Sequence, residues 1–226
     1  MENAQIRFVF DNKKQATATK TGLLQIEVRK KGKVKSVTLR TYEAESKFGE
    51  WEAGDPTYPH YKINFDANGL YQEYISYYID GSLLGKEIPV YKNNKFVEAI
   101  WYDEEGQFEE KTKRNKTSKN ETEVEVFNKQ DEKIRSSKRT LRNGYVTKSS
   151  STYFKDGKED GIYTALFELD KDGNSISQKN LDEKGEVKFH ATFEYLEFDQ
   201  KGNWTKRLTT DADGDSEISI REIEYY

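Results

Sequence analysis

The chain has 226 residues and a formal net charge of −4, with 41 Asp and Glu against 37 Lys and Arg. This balance creates no strong positive field, so it argues against a nucleic-acid-binding protein held by phosphate contacts. Cysteine is absent, which excludes disulfides, thiolate metal sites and a cysteine nucleophile. No apolar run is long enough for a transmembrane helix. Because 35% of the residues are charged, the aromatic residues, 13% of the chain, are expected to supply much of the core.

The N-terminus does not resemble a secretory signal. Residues 1–4 (MENA) lack the charged region followed by an apolar stretch that a cleaved signal needs. Two explanations follow: the protein is not exported by a cleaved signal, or the sequence begins after the signal with an added Met. The absence of cysteine is compatible with both the cytoplasm and the periplasm.

Alternation of apolar and polar residues runs through the chain. It is clearest in residues 187–195 (VKFHATFEY), and residues 24–29 (LQIEVR) and 61–66 (YKINFD) repeat it. Successive side chains of a strand point to opposite faces of the sheet. This pattern therefore predicts strands with one buried face and one solvent-exposed face. Antiparallel sheets tolerate that arrangement, whereas parallel sheets are usually covered on both faces. No comparable apolar stripe at helical spacing is present.

Turn signals separate the alternating segments. An Asp at the first position of a type I turn bonds to the local backbone, and a Gly at the fourth returns the chain as the next strand. The motif Asp-x-x-Gly occurs six times, beginning at Asp66, Asp103, Asp170, Asp182, Asp199 and Asp211. We therefore predict an all-β fold with few or no helices: an extended, curved or rolled antiparallel meander of degenerate β-hairpin repeats. It forms a single domain over residues 1–226, with divergent N-terminal strands in 1–55 and hairpin repeats in 60–226.

The last strand contains a change of parity. Ile218 and Ile220 share one face of a regular strand, while Ile223 and Tyr225 share the other. A β-bulge near Arg221 would bring all four side chains to one face. Alternatively, the two pairs face opposite sides of the sheet.

Several segments resemble known repeat families. Residues 198–207 (FDQKGNWTKR) and 221–226 (REIEYY) resemble a YD repeat of the RHS-like type. Residues 153–163 (YFKDGKEDGIY) and 79–85 (IDGSLLG) resemble the MORN-like hairpin repeat instead. The resemblance is best in the C-terminal third. It implies a β-hairpin array of the kind found in bacterial cell-envelope proteins, with no catalytic residue to carry over.

One acidic string has the spacing of a calcium loop. Residues 211–222 (DADGDSEISIRE) place Asp211, Asp213, Asp215 and Glu222 at ligand positions 1, 3, 5 and 12. Position 6, normally Gly, is Ser216, and the flanking residues favour strands rather than helices. We interpret the string as a polar hairpin tip, so no metal and no cofactor is predicted.

The segment 47–61 is the best candidate for a binding surface. It combines prolines, which stiffen a loop, with aromatic side chains, which give contact area at low entropic cost. The predicted binding residues are Trp51, Tyr58, His60 and Tyr61. The alternative is that these rings fold over one end of the sheet and cover the core. Trp101 and Trp204 follow the strand pattern and are expected in the core.

No nucleotide-binding glycine loop and no Gly-x-Ser-x-Gly elbow is present, so no enzyme is predicted. The function predicted is a non-enzymatic binding or scaffold protein of the periplasm or cell envelope. Its expected partner is a protein, with docking on an outer-membrane protein complex as one form, and neither nucleic acid nor a transmembrane segment is expected. Two alternatives stay open: a cytoplasmic immunity-type protein that binds a toxin, and a carbohydrate-active hydrolase on a β scaffold.

Overall fold

The computed structural model describes residues 31–57 and 60–226, and these form one antiparallel sheet. No helix in this part of the chain is long and apolar enough to span a bilayer. The fifteen strands are β1 (Val34–Lys47), β2 (Glu50–Pro56), β3 (His60–Phe65), β4 (Tyr71–Tyr77), β5 (Leu83–Lys92), β6 (Lys95–Asp103), β7 (Phe108–Lys116), β8 (Glu121–Phe127), β9 (Lys133–Arg142), β10 (Tyr145–Lys155), β11 (Lys158–Leu169), β12 (Ser175–Leu181), β13 (Val187–Phe198), β14 (Trp204–Asp211) and β15 (Ser216–Tyr225).

The sheet closes on itself. Strands β3 to β15 follow one another as neighbours, and β1 pairs with β3 on one side and with β15 on the other. In the closing pair, Val37 lies opposite Ile223 and Leu39 lies opposite Arg221. Fourteen strands therefore form a closed barrel, while β2 pairs only with the second half of β1.

The prediction of an all-β antiparallel meander is confirmed for the described residues, but an open extended, curved or rolled sheet is wrong, because the β1–β15 pairing closes the barrel. Closure results from the two edges of β1: one pairs with β3 and the other with β15, and the end of β1 extends further to pair with β2. The predicted strand at 24–29 lies outside the described residues. The division into residues 1–55 and 60–226 stays a prediction.

The Asp-x-x-Gly turns are as predicted. In the β14–β15 turn, Asp211 Oδ1 accepts hydrogen bonds from the backbone N–H groups of Asp213 and Asp215 at 2.9 and 3.0 Å. Gly214 has a φ of 92°, a left-handed conformation that favours glycine. The same positive φ occurs at Gly69, Gly106, Gly173, Gly185 and Gly202, the fourth residues of the other five motifs.

Two-residue turns connect other hairpins. Both central residues have a positive φ, as type I′ turns require. Asn143 and Gly144 have the preferred sequence for this turn, whereas the β1–β2 turn places Phe48 at the first position with a φ of 54°. Phe48 is fully exposed.

The inner face of one half of the barrel is packed with apolar and aromatic side chains. A single cluster joins Val37, Ile63, Tyr74 and Trp101 on β1, β3, β4 and β6 to Trp204 on β14. The rings of Tyr74 and Trp101 lie 6.1 Å apart between centroids. Trp101 and Trp204 are 5% and 7% exposed, so their predicted place in the core is confirmed.

The inner face of the other half carries buried polar side chains next to valines such as Val124. Ser137 and Ser151 lie opposite each other on β9 and β10, and their hydroxyl oxygens are 2.7 Å apart. Arg135 and Arg139 lie on the same face of β9 as Ser137 and are also buried. The outer wall, by contrast, has charged side chains in mid-strand positions, with exposed residues Lys86, Glu123, Lys138, Lys148 and Glu194.

The two pairs of apolar residues in β15 face opposite sides of the sheet. No register shift occurs near Arg221, so a bulge at that position is wrong. Ile223 points inward and packs against the core cluster, whereas Ile218 belongs to the outer face. Ile218 is nevertheless fully buried, because the β1–β2 hairpin contacts β15 from outside.

Candidate functional site

The predicted binding residues do not form one surface. Tyr61 points into the barrel and is 7% exposed, while His60 precedes it on the opposite face, with its ring 6.3 Å from that of Tyr42. Trp51 lies on β2, and Tyr58 lies outside the described residues. Tyr61 therefore belongs to the core, in line with the alternative that these rings cover it. Binding through Trp51 and His60 stays a prediction.

The β1–β2 hairpin folds against the outer wall. Lys206 Nζ on β14 donates a hydrogen bond of 2.8 Å to the backbone oxygen of Trp51. Leu208, two residues along β14, is 5% exposed although it lies on the outer face. The hairpin thus covers an apolar patch that a simple barrel would leave in water.

The acidic string 211–222 is not arranged as a calcium loop. Asp211 accepts backbone hydrogen bonds within its own turn, and Glu222 forms an ion pair with Arg40 on the outer wall. Within the described part of the chain, no group of three or more acidic or histidine side chains could hold a metal ion. The string is a hairpin tip of the same type as the other Asp-x-x-Gly turns.

A cavity of about 230 Å³ lies inside one end of the barrel. This is the end at which the β9–β10, β11–β12 and β13–β14 turns meet the first residues of β1 and the last residues of β15. Aromatic and apolar side chains share its wall with polar and charged ones, and they include those of Val146, Phe167, Leu169, Tyr195, Phe198 and Trp204.

Two arginines complete the wall of this cavity. Arg207 on β14 and Arg221 on β15 are 8% and 9% exposed and face the lumen. The guanidinium carbon of Arg221 lies 3.5 Å from the ring centroid of Trp204, and that of Arg207 lies 5.0 Å from the same ring. Stacking on an aromatic face fixes the plane of each guanidinium.

Neutral groups are the hydrogen-bond partners of the two arginines. Arg207 Nη2 donates to the Ser219 hydroxyl at 3.4 Å, and Arg221 bonds the Tyr61 hydroxyl. The Nε atoms of both arginines are buried without a hydrogen-bond partner. Among the described residues, no carboxylate forms an ion pair with either arginine. Burial, and then the neighbouring Arg207, lower the pKa of Arg221 to about 10, so it stays cationic at neutral pH.

Two acidic residues, Asp170 and Asp172, line this cavity together with the cationic Lys31, Arg207 and Arg221. Asp170 lines its rim, but Oδ1 of Asp170 accepts the backbone N–H of Asn174 and Oδ2 accepts the Asn174 side-chain amide, both at 2.8 Å. Glu87, buried on the inner face of β5, accepts a hydrogen bond of 2.9 Å from the Tyr71 hydroxyl. The cavity therefore has a net positive wall.

The rim next to Trp204 is held by a polar cluster. Asn203 Nδ2 donates to the Tyr225 hydroxyl at 2.7 Å, and Tyr225 donates to Asp199. Burial, and then the bond to Asp199, raise the pKa of Tyr225 to about 12. The cluster joins the β13–β14 turn to the end of β15 and thereby positions Trp204.

A second, wider cavity of about 590 Å³ lies at the opposite end of the barrel. Trp51 and Phe189 contribute apolar surface to it, and Glu43 and Glu217 face each other across β1 and β15 at its wall. This cavity is acidic, so the two ends of the barrel offer sites of opposite charge.

The sequence pattern did not reveal the arginines that face the lumen, because charged positions of a strand were assigned to its solvent-exposed face. A signal was present: Ile218 and Ile220 on one face and Ile223 on the other indicate that both faces of β15 are covered. Arg221 shares the face of Ile223, which packs against the core cluster. Arg207 shares its face through the β14–β15 register.

Comparison with known proteins yields no family: no family model matches the chain, and no curated protein matches it. The YD-repeat and MORN-like resemblance stays a prediction. Among solved structures, the chain is similar to a porin-like protein from Bacteroides uniformis, with 10% identity, a TM-score of 0.47 and coverage of 84% of this chain and 96% of that one. It is also similar to a LolA superfamily protein from Nitrosomonas europaea, with 10% identity, a TM-score of 0.32 and 87% coverage of each chain. At these TM-scores neither likeness carries an argument about function.

Proposed function

We propose that this chain is a non-enzymatic binding protein of the cell envelope whose barrel encloses a small molecule. The observation that supports this is the cavity between Phe167, Tyr195 and Trp204, whose wall combines aromatic rings with polar and charged groups such as Arg207 and Arg221. The outer wall has exposed Lys and Glu in mid-strand, as suits a barrel surrounded by water rather than by lipid. The location in the envelope rests on the repeat resemblance.

Filling the cavity tests this proposal. Leu169 lines the cavity, whereas Leu166 lies on the outer face of the same strand. We expect the neutral fluorescent probe N-phenyl-1-naphthylamine to bind to the wild type and to Leu166→Trp, and to lose at least about ten-fold in affinity for Leu169→Trp, in which the added ring occupies the cavity. Equal binding by all three proteins would contradict a ligand site inside the barrel.

Docking on a protein partner, including an outer-membrane complex, has one structural support. Strand β2 pairs only with β1, so its other edge is the free strand edge in the described part of the sheet. Free edges accept strands from partners. Replacement of residues 45–54 by Asn-Gly shortens the hairpin and removes this edge. A stoichiometric partner recovered from envelope extract with the wild type should be lost with the shortened protein, and its retention would contradict docking at β2.

The hydrolase alternative has a separate observation in its favour, the facing pair Glu43 and Glu217 at the wider cavity. Paired carboxylates are the usual groups of glycoside hydrolysis. Turnover of chromogenic glycosides that disappears in both Glu43→Gln and Glu217→Gln would support an enzyme. We expect no turnover, in keeping with a binding protein.

A further inference from the structure

We infer that the cavity at Trp204 binds a small organic carboxylate, with Arg207 and Arg221 holding the carboxylate group and the aromatic wall holding its apolar body. This inference rests on the proposed function, because it names the ligand class of the same site. Its basis is the combination of two buried guanidinium groups, a shared cavity and the lack of an acidic partner for either group among the described residues.

The energetic argument is that buried charges are normally paired. Removing a cation from water is costly, and a protein keeps one in its interior when a counter-charge or a function compensates the cost. Arg207 and Arg221 have the same charge, lie over the same indole ring and have neutral hydroxyl partners. An anionic ligand would supply the counter-charge that the described residues do not.

The geometry favours a carboxylate with an apolar body. Each guanidinium offers donors in a planar fork that matches the two oxygens of a carboxylate, and stacking on Trp204 holds these planes in place. Phe167 and Leu169 in the same wall offer apolar contact to the rest of such a ligand. An inorganic anion would leave this part of the wall unused.

The rim is compatible with entry of an anion. Lys31 lines the cavity from the β1 side, next to Asn203. The acidic residues on this rim, Asp170 and Asp172, belong to the β11–β12 turn and not to the side formed by β1, β14 and β15. The positive charge that would attract an anion therefore lies on the side of the cavity formed by β1, β14 and β15.

Calorimetric titration with three probes tests the inference: octanoate, octanol and inorganic phosphate. We expect octanoate to bind at least about ten-fold more tightly than octanol, which has the same chain without the charge, and phosphate to bind weakly. Arg221→Met and Arg207→Met should each weaken octanoate binding at least ten-fold and leave octanol binding unchanged. Arg40→Met, which removes an arginine of the outer wall, is the matched control and should bind like the wild type.

Thermal unfolding separates a binding role from a structural one. Because Met removes an uncompensated buried charge, we expect each luminal variant to keep the Tm of the unliganded protein or raise it by about 2–4 °C. A luminal variant that melts well below the wild type indicates a structural arginine and would contradict the inference. A luminal variant that fails to fold counts as one that melts well below the wild type and would likewise contradict the inference.

The outcomes distinguish the inference of a carboxylate ligand from the proposed function, a ligand site inside the barrel. Octanol binding as tight as octanoate binding, sensitive to Leu169→Trp, would overturn the carboxylate and keep a ligand site inside the barrel. Phosphate binding as tight as octanoate binding would contradict the claim that the ligand has an apolar body. Failure of octanoate, octanol and the neutral naphthylamine probe to bind would overturn both.

Discussion

The side-chain amide of Asn203 forms two hydrogen bonds with the backbone of Lys31, 172 residues away in the chain. Its Oδ1 accepts the Lys31 N–H at 2.8 Å, and its Nδ2 donates to the Lys31 oxygen at 2.9 Å. The same Nδ2 also bonds Tyr225 on the last strand. One side chain of a β-turn therefore joins the first and last strands at the point where the barrel closes.

Replacement of Asn203 by Ala should lower the free energy of unfolding by about 2–3 kcal/mol, because several buried hydrogen-bonding groups lose their partner. Asn174 is the matched control: it occupies the same position of the β11–β12 turn, but its side chain bonds Asp170 in its own turn. Asn174→Ala should cost less than half as much. Equal losses in urea unfolding would show that Asn203 acts only within its turn.

The β1–β2 turn should be stabilised by Phe48→Asn. Phe48 has a φ of 54° and is fully exposed, so its ring gives no packing to offset the strain of a left-handed conformation. We expect a gain of about 1 kcal/mol in unfolding free energy, and a similar loss for Asn143→Phe at the same position of the β9–β10 turn. A destabilised Phe48→Asn protein would mean that the Phe48 ring has a contact in solution.

Acidification should weaken the fold through His60. Burial, and then the charge of Arg40, lower the pKa of His60 below its usual 6.5. Between this lowered pKa and 6.5, the unfolded chain binds more protons than the folded one, so stability falls as the pH falls through this window. The slope for one proton is at most about 1.4 kcal/mol per pH unit, and less here because the ring is only partly buried.

The measurement is the Tm between pH 7.5 and 5.5 for the wild type, His60→Gln and His190→Gln. His60→Gln should reduce the loss of Tm on acidification. His190, on the outer face with its Nε2 3.3 Å from the Ser177 hydroxyl oxygen, provides the matched variant in which the other imidazole is removed. An unchanged profile in His60→Gln would contradict the assignment.

Calcium should not change the stability of the protein. Asp211 is engaged by the N–H groups of Asp213 and Asp215, and Glu222 by Arg40, so the string 211–222 has no free ligand set. We expect the same Tm with chelator and with about 5 mM calcium, a concentration that saturates even weak extracellular calcium modules. A rise in Tm with calcium that is lost in Asp213→Asn would instead support calcium binding by the string 211–222.

Local features of the fold could be predicted from the sequence, whereas closure and the site could not. The six Asp-x-x-Gly turns and the alternation in β13 depend on neighbouring residues, so the sequence pattern contains them. The β1–β15 pairing joins Val34 to Tyr225 through backbone groups that every residue has. The cavity forms only when the barrel closes, because closure places Arg207 and Arg221 in the same interior as Tyr61 and Tyr195.

Barrel closure is the claim on which the cavity, its two arginines and the proposed ligand all depend. Thr38 and Glu222 face each other across β1 and β15, and the chain has no cysteine, so Thr38→Cys/Glu222→Cys takes two spin labels at defined positions. Pulsed electron paramagnetic resonance should give a label separation below about 20 Å, because the two strands are neighbours. A distribution centred near 60 Å, about the width of fourteen strands spaced 4.8 Å apart, would show an open sheet and contradict the account.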